Sequence, residues 1–115
     1  MNKAIAGYHL LMILSAVDHQ FNRKEDLVIK NYLIESFPSR IDLDQEMEIL
    51  SAMDPSDYPI HFNRMMDEFY KDSTPEDRTH FLDFAVKLVA ADKVVSPAEN
   101  TFLNELFNGW DSNFS

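Results

Sequence analysis

Four carboxylates at two corresponding places in the chain have the residue type and spacing to begin a site for a hard metal cation. Asp18 precedes Glu25 by the same spacing that separates Asp92 from Glu99. The two pairs are related by an offset of 74, the difference between positions 92 and 18. Ca²⁺ takes roughly 6–8 oxygen ligands, so each pair of acids would need carbonyls and water to complete a site. Asp18, Glu25, Asp92 and Glu99 are therefore the candidate metal ligands.

The same positions also have a purely structural interpretation. Each glutamate stands three residues after a capping residue type, Asn22 or Ser96, which is the spacing of a capping box. The aspartates can accept backbone N–H bonds in the turn before each helix. The sequence leaves both interpretations open: a divalent-cation site at two helix corners, or acids that only stabilise helix ends.

Other kinds of site are disfavoured. A calcium loop of the EF-hand type counted from Asp18 would place Arg23 at the turn glycine and Ile29 at the bidentate glutamate, so that motif is rejected. The sequence contains no cysteine, no glycine-rich phosphate loop and no nucleophile elbow. We therefore expect a protein that is not an enzyme.

The histidines show no short metal-ligand spacing. No H-E-x-x-H pattern is present, and we interpret His80 with Asp83 as a surface pair rather than a zinc site. All four histidines are treated as ordinary residues: His9, His19, His61 and His80.

Composition and charge restrict the class of protein. With 115 residues, 45% of them hydrophobic, and only 2 glycines, the chain is expected to be one all-α domain spanning residues 1–115. The formal charge of −10 disfavours nucleic acid, because neutralising phosphates requires clustered Lys and Arg. No apolar run reaches the ~18 residues that a membrane span requires. The absence of cysteine fits a reducing compartment, and we expect a cytoplasmic protein with a protein partner; a homo-oligomer stays open.

Hydrophobic periodicity predicts a single compact bundle of about six to seven short helices. In the second predicted helix, Leu27, Tyr32, Leu33 and Ile34 are expected to face inward. Met65 and Met66, which share a stripe with two phenylalanines, are interpreted as core, with an adaptable binding surface as the alternative. The expected ranges are Asn2–His19, Arg23 to about Phe37, Asp42 to about Met53, Tyr58–Tyr70, Pro75 to about Lys93, and a last helix from Pro97.

The offset of 74 also organises the helices into two similar helical-hairpin halves, around residues 4–37 and 75–110. In each half an apolar helix ends in A-x-D or A-D, a short turn follows, and S/N-x-x-E opens the next helix. This duplicated pattern resembles the TerB-like family, which includes the tellurite-resistance TerB proteins and the matching domain of DjlA-type membrane co-chaperones. The residues that carry the resemblance are Ala16-Val17-Asp18 with Asn22 and Glu25, and Ala90-Ala91-Asp92 with Ser96 and Glu99.

The resemblance covers roughly Ile5 to Phe107 and implies an all-α binding module in stress response or protein assembly, with metal bound by the acidic residues. At each corner the family usually carries a glycine and often a second acid, which this chain lacks. Lys93 places a cation beside Asp92, whereas His19 can add a nitrogen ligand beside Asp18, so the first corner is the better candidate. The alternative function is a metal-free interaction or scaffolding domain.

Overall fold

The computed structural model describes residues 2–16, 23–37, 43–90 and 97–111, and these residues form six α-helices with no strand among them. The predicted all-α fold is confirmed. A short 3₁₀ turn, Pro55–Asp57, precedes the fourth helix. The helices are α1 Lys3–Ala16, α2 Arg23–Ser36, α3 Glu46–Ser51, α4 Tyr58–Lys71, α5 Pro75–Ala90 and α6 Pro97–Asp111.

Helix α1 is the centre of the bundle. It packs against each of the other five helices, and residues 8–14 are all buried. A helix that is apolar on most sides has no wet face to present, so it is covered on all sides. The side chain of Asn2 caps its start, with Oδ1 accepting a hydrogen bond of 2.7 Å from the backbone N–H of Ala4.

Helix α4 buries the face that its sequence predicts. Phe62, Met65, Met66 and Phe69 are all buried, so the two methionines belong to the core. The ring of Phe69 stacks on that of Trp110 with centroids 5.2 Å apart, and this contact joins α4 to the end of α6. Trp110, only 2% exposed, thus closes this edge of the core.

The start of α5 is a reciprocal cap. The backbone N–H of Asp77 donates to Oγ1 of Thr74, and the backbone N–H of Thr74 donates to Oδ2 of Asp77, both at 3.1 Å. Lys3 donates from Nζ to the same Asp77 oxygen at 2.9 Å, which fastens the start of α1 to the start of α5.

Two expectations about α2 are wrong. Leu27 and Ile34 were expected to face the core, but they are 54% and 57% exposed. From residue 26 to the end of α2, the buried positions are Asp26, Ile29 and Leu33, at i, i+3 and i+7, and of these Leu33 was expected. The inward face thus includes an aspartate where residue type alone favours the neighbouring leucine.

Two smaller differences concern α3 and α5. Asp44 and Gln45 form a turn, and α3 begins at Glu46, later than the expected Asp42. In α5, the apolar residue type of Val86 favours an inward position, but its side chain is 40% exposed.

Candidate functional site

A buried polar network joins the central helix to three of its neighbours. The Tyr8 side chain, fully buried in α1, donates a hydrogen bond of 2.5 Å from its hydroxyl to Oδ1 of Asp26. Nζ of Lys30 lies 3.1 Å from Oδ2 of Asp26 and also 3.1 Å from Oδ1 of Asp44. Asp26 is only 7% exposed, and burying a charged carboxylate costs free energy. The hydrogen bond from Tyr8 and the ion pair with Lys30 offset that cost.

A second branch of the network starts from the next residue of α1. His9 is 4% exposed, and both of its ring nitrogens have partners. Nε2 lies 2.8 Å from Oε1 of Glu46 in α3, and Nδ1 lies 2.7 Å from Nε2 of His61 in α4. His9 therefore connects three helices through two hydrogen bonds. We call His9, Glu46 and His61 the His–Glu–His chain.

The partners determine the tautomers in this chain. The carboxylate of Glu46 can only accept, so Nε2 of His9 carries a proton. In neutral His9, Nδ1 then has a lone pair that accepts from the Nε2–H of His61. This leaves Nδ1 of the neutral His61 as the basic end of the chain.

The surroundings shift the pKa of groups in both branches. Burial, followed by the hydrogen bond to Asp26, raises the pKa of Tyr8, so it stays a neutral donor. Burial alone would lower the pKa of Lys30, but its hydrogen bonds to Asp44 and Asp26 outweigh burial and raise it. Burial, followed by the charges of His9 and Arg64, lowers the pKa of His61.

His61 brings the second branch of the network to a groove at the surface. It lines an open groove of about 290 Å³ together with Met53, Asp57, Ile60 and Arg64. A neutral imidazole there can accept a proton or a hydrogen bond from a bound molecule. Among residues 2–16, 23–37, 43–90 and 97–111, no group of three His, Cys, Asp or Glu side chains is placed to hold a metal ion.

Two of the four predicted metal ligands lie within described helices, and two do not. Asp18 and Asp92 lie outside the described residues, as does His19. Glu25 and Glu99 are each the third residue of a helix, α2 and α6 respectively. The structure therefore gives no ligand geometry at either corner.

The helix ends at the two corners do repeat. Helix α1 ends at Ala16 and α5 ends at Ala90, while α2 begins at Arg23 and α6 begins at Pro97. Both differences, 90 minus 16 and 97 minus 23, equal the offset of 74 found in the sequence. Each corner thus joins its helices by the same number of residues.

Two of the histidines meet through the packing of distant helices, and their spacing along the chain does not show this contact. His9 and His61 are 52 positions apart and meet in the core, so no short-range ligand pattern could have shown the pair. The one available signal was His9 itself, a polar residue inside an otherwise apolar helix. His80 lies on the surface, and its Nδ1 is 2.9 Å from the hydroxyl of Tyr32, a partner that the sequence did not indicate.

The described helices and their buried polar network define a small all-α domain arranged around one central helix. A family model described as "Tellurite resistance protein TerB" matches residues 4–109. The chain therefore belongs to the TerB family, as the duplicated corner pattern indicated. No characterised protein and no solved structure matches it. None of the described helices is long and apolar enough to cross a membrane.

Proposed function

We propose that this protein is a non-enzymatic binding module of the TerB type that acts in a stress response of the tellurite-resistance kind. The observation that carries the proposal is the family match over residues 4–109, nearly the whole chain. The buried polar groups of the described residues join helices to one another, and His61 of the His–Glu–His chain lines a groove. A binding role requires no catalytic group.

We further propose a weak divalent-cation site at the two helix corners, with Asp18 and Glu25 in the first and Asp92 and Glu99 in the second. Its support is the repeated helix ends at an offset of 74, which give both corners the same length. Acids near a helix N-terminus are also favoured electrostatically by the helix dipole, without any metal. The first corner is expected to bind more tightly, because Lys93 adds a positive charge to the second.

Calorimetric titration of the metal-free protein with Ca²⁺, Mg²⁺, Mn²⁺ and Zn²⁺ tests the cation site. We expect saturable heat that is lost in Asp18→Asn and reduced less in Asp92→Asn. Asp83→Asn, on the exposed face of α5, is the matched control and should bind as the wild type does. No heat at millimolar metal, or unchanged heat in Asp18→Asn, would remove the cation site and leave the metal-free interaction domain.

The metal-free alternative has its own signature. If the corner acids only stabilise the helix ends, Asp18→Ala and Asp92→Ala should each lower the unfolding free energy by ~1 kcal/mol, because alanine cannot accept a backbone N–H. The affinity for a partner purified with the protein should not change. Loss of that affinity with an unchanged melting temperature would contradict the capping role.

A further inference from the structure

A second groove lies between α4 and α6, away from the His–Glu–His chain. Its volume is about 400 Å³, within the range of ligand-binding clefts. The wall combines two aromatic rings, a thioether, an amide and a carboxylate. The lining residues are Asn63, Met66, Asp67 and Tyr70 from α4, and Gly109 and Trp110 from α6.

Gly109 keeps this groove open. A Cβ added at position 109 would lie 2.6 Å from Cε of Met66, so any larger residue would push into the space between the helices. Gly109 is exposed, and its helical position does not itself require glycine. The missing side chain leaves the α6 backbone as part of the groove wall.

Two buried polar atoms on the same stretch of α6 have no hydrogen-bond partner among the described residues. One is Nε1 of Trp110, a donor on a side chain that is only 2% exposed. The other is Oε2 of Glu105, an acceptor one turn before Gly109 on the same side of the helix. An unsatisfied buried donor costs about 1–3 kcal/mol, and Trp110 lines the groove, so a ligand that accepts a hydrogen bond from its indole N–H would recover that free energy.

The charges beside the groove favour a cationic ligand. Asp67 is the acid in the groove lining, and its side chain is exposed. The guanidinium of Arg78 already lies 4.0 Å above the ring of Tyr70, so one face of that ring is covered by a cation. Arg78 is buried and already donates to the backbone oxygens of Tyr70 and Ser73, whereas the carboxylate of Asp67 is exposed. The whole chain has a formal charge of −10.

We propose that the α4–α6 groove binds a Lys or Arg side chain of a basic segment in a partner protein. The charged end pairs with Asp67, while the methylene stem packs against Met66 and the ring of Tyr70. The indole N–H of Trp110 donates to a backbone carbonyl of the same segment. This assignment names the partner chemistry of the proposed binding module, and it does not depend on metal at the corners.

The single tryptophan of the chain makes the test specific. In ¹⁵N-labelled protein, the indole N–H signal belongs to Trp110 alone and can be followed during titration. The probe is an acetylated and amidated hexapeptide of alternating Lys and Ala, and its matched control carries Gln in place of Lys. We expect the Lys peptide to shift the indole signal saturably and the Gln peptide not to do so.

Variants locate the contact. Asp67→Asn, at an exposed position, should weaken the Lys peptide about threefold to fivefold, as expected for one solvent-screened ion pair. Gly109→Ala should weaken it too by narrowing the groove, whereas Asp83→Asn should bind like the wild type. Added salt should lower the affinity of the wild-type protein for the peptide.

Three results would overturn the assignment: no shift at millimolar peptide, equal shifts with both peptides, or an affinity unchanged by Asp67→Asn. The metal titration reports on the corners independently. Heat from metal without a peptide response would reject the groove and keep the cation site. A peptide response without heat from metal would reject the cation site and keep the groove.

Discussion

Nδ1 of His9 lies 2.7 Å from Nε2 of His61, and this contact joins the central helix α1 to α4. A hydrogen bond between two imidazoles requires one proton between the facing nitrogens. The neutral pair meets that requirement with His61 as donor, and a proton added at Nδ1 of His61 leaves the same hydrogen bond in place. A second added proton would set N–H against N–H and break the contact.

Lowering the pH should therefore destabilise the protein through His61. Its pKa in the folded state is lowered by burial, then by the charges of His9 and Arg64. The unfolded chain thus binds the proton more readily, so the stabilisation is complete above the ordinary histidine pKa of about 6.5 and is lost as the pH falls below it. We expect the unfolding free energy from urea denaturation to decrease between about pH 7.5 and pH 5, and His61→Gln to reduce that decrease.

His80→Gln is the matched control for this measurement. It removes a histidine from the surface, where the ring contacts Tyr32, and leaves the His–Glu–His chain intact. The wild-type pH dependence should persist in this variant. A pH dependence that is unchanged in His61→Gln would place its origin elsewhere in the protein.

Removing the hydroxyl of Tyr8 should weaken the other branch of the network. Tyr8→Phe leaves the buried Asp26 with Lys30 as its partner but without the hydroxyl donor, at a cost of about 1–3 kcal/mol of unfolding free energy. Urea denaturation at neutral pH measures this loss. Tyr32→Phe, which removes a hydroxyl from an exposed contact, is the control and should cost less than about 1 kcal/mol. Equal losses in the two variants would show that the Tyr8–Asp26 bond has no special weight.

Prediction from the sequence succeeded where apolar residues repeat along one helix. The stripe from Phe62 to Phe69 follows the period of α4, and all four of its members are buried. It failed on α2, where the buried face includes Asp26 because Tyr8 and Lys30 lie within reach of its carboxylate. The rotation of one helix against another depends on contacts between distant residues, and periodicity within α2 does not contain that information.

The His–Glu–His chain also depends on contacts between distant residues, which patterns along one helix do not predict. Glu46 and His61 are 37 and 52 positions from His9, respectively, and none of the three belongs to a local motif. Their association follows only from the packing of α3 and α4 on α1. The duplicated corners, by contrast, are local and were visible in the sequence as an offset that the helix ends repeat.

The corrected face of α2 gives a direct test of the packing. Leu33 is fully buried, so Leu33→Ala should lower the unfolding free energy by about 2–5 kcal/mol. Leu27 is 54% exposed, so Leu27→Ala should change it by about 1 kcal/mol or less. Thermal denaturation followed by circular dichroism compares the two variants. A larger loss at Leu27 than at Leu33 would show that α2 presents the opposite face to the core.

A methyl group at Gly7 should destabilise the bundle, although alanine is the better helix former by ~1 kcal/mol. A Cβ there would lie 3.0 Å from Cε2 of Phe81, 3.1 Å from Cδ2 of Leu33 and 3.3 Å from Cε2 of Phe69. All three neighbours are fully buried and cannot withdraw without moving the helices around α1. Overpacking of this kind costs about 1–3 kcal/mol, which exceeds the gain in helix propensity.

Gly109→Ala is the matched control for Gly7→Ala, because both substitutions place a methyl group on a helix. At position 109 the only close neighbour in the described structure is Cε of Met66, the end of a flexible side chain that can move into the adjoining groove. We expect Gly109→Ala to keep the unfolding free energy within about 1 kcal/mol of wild type, while Gly7→Ala loses more. If Gly7→Ala proves as stable as Gly109→Ala, the packing around α1 is looser than these distances require, and the core can relax around an added methyl group.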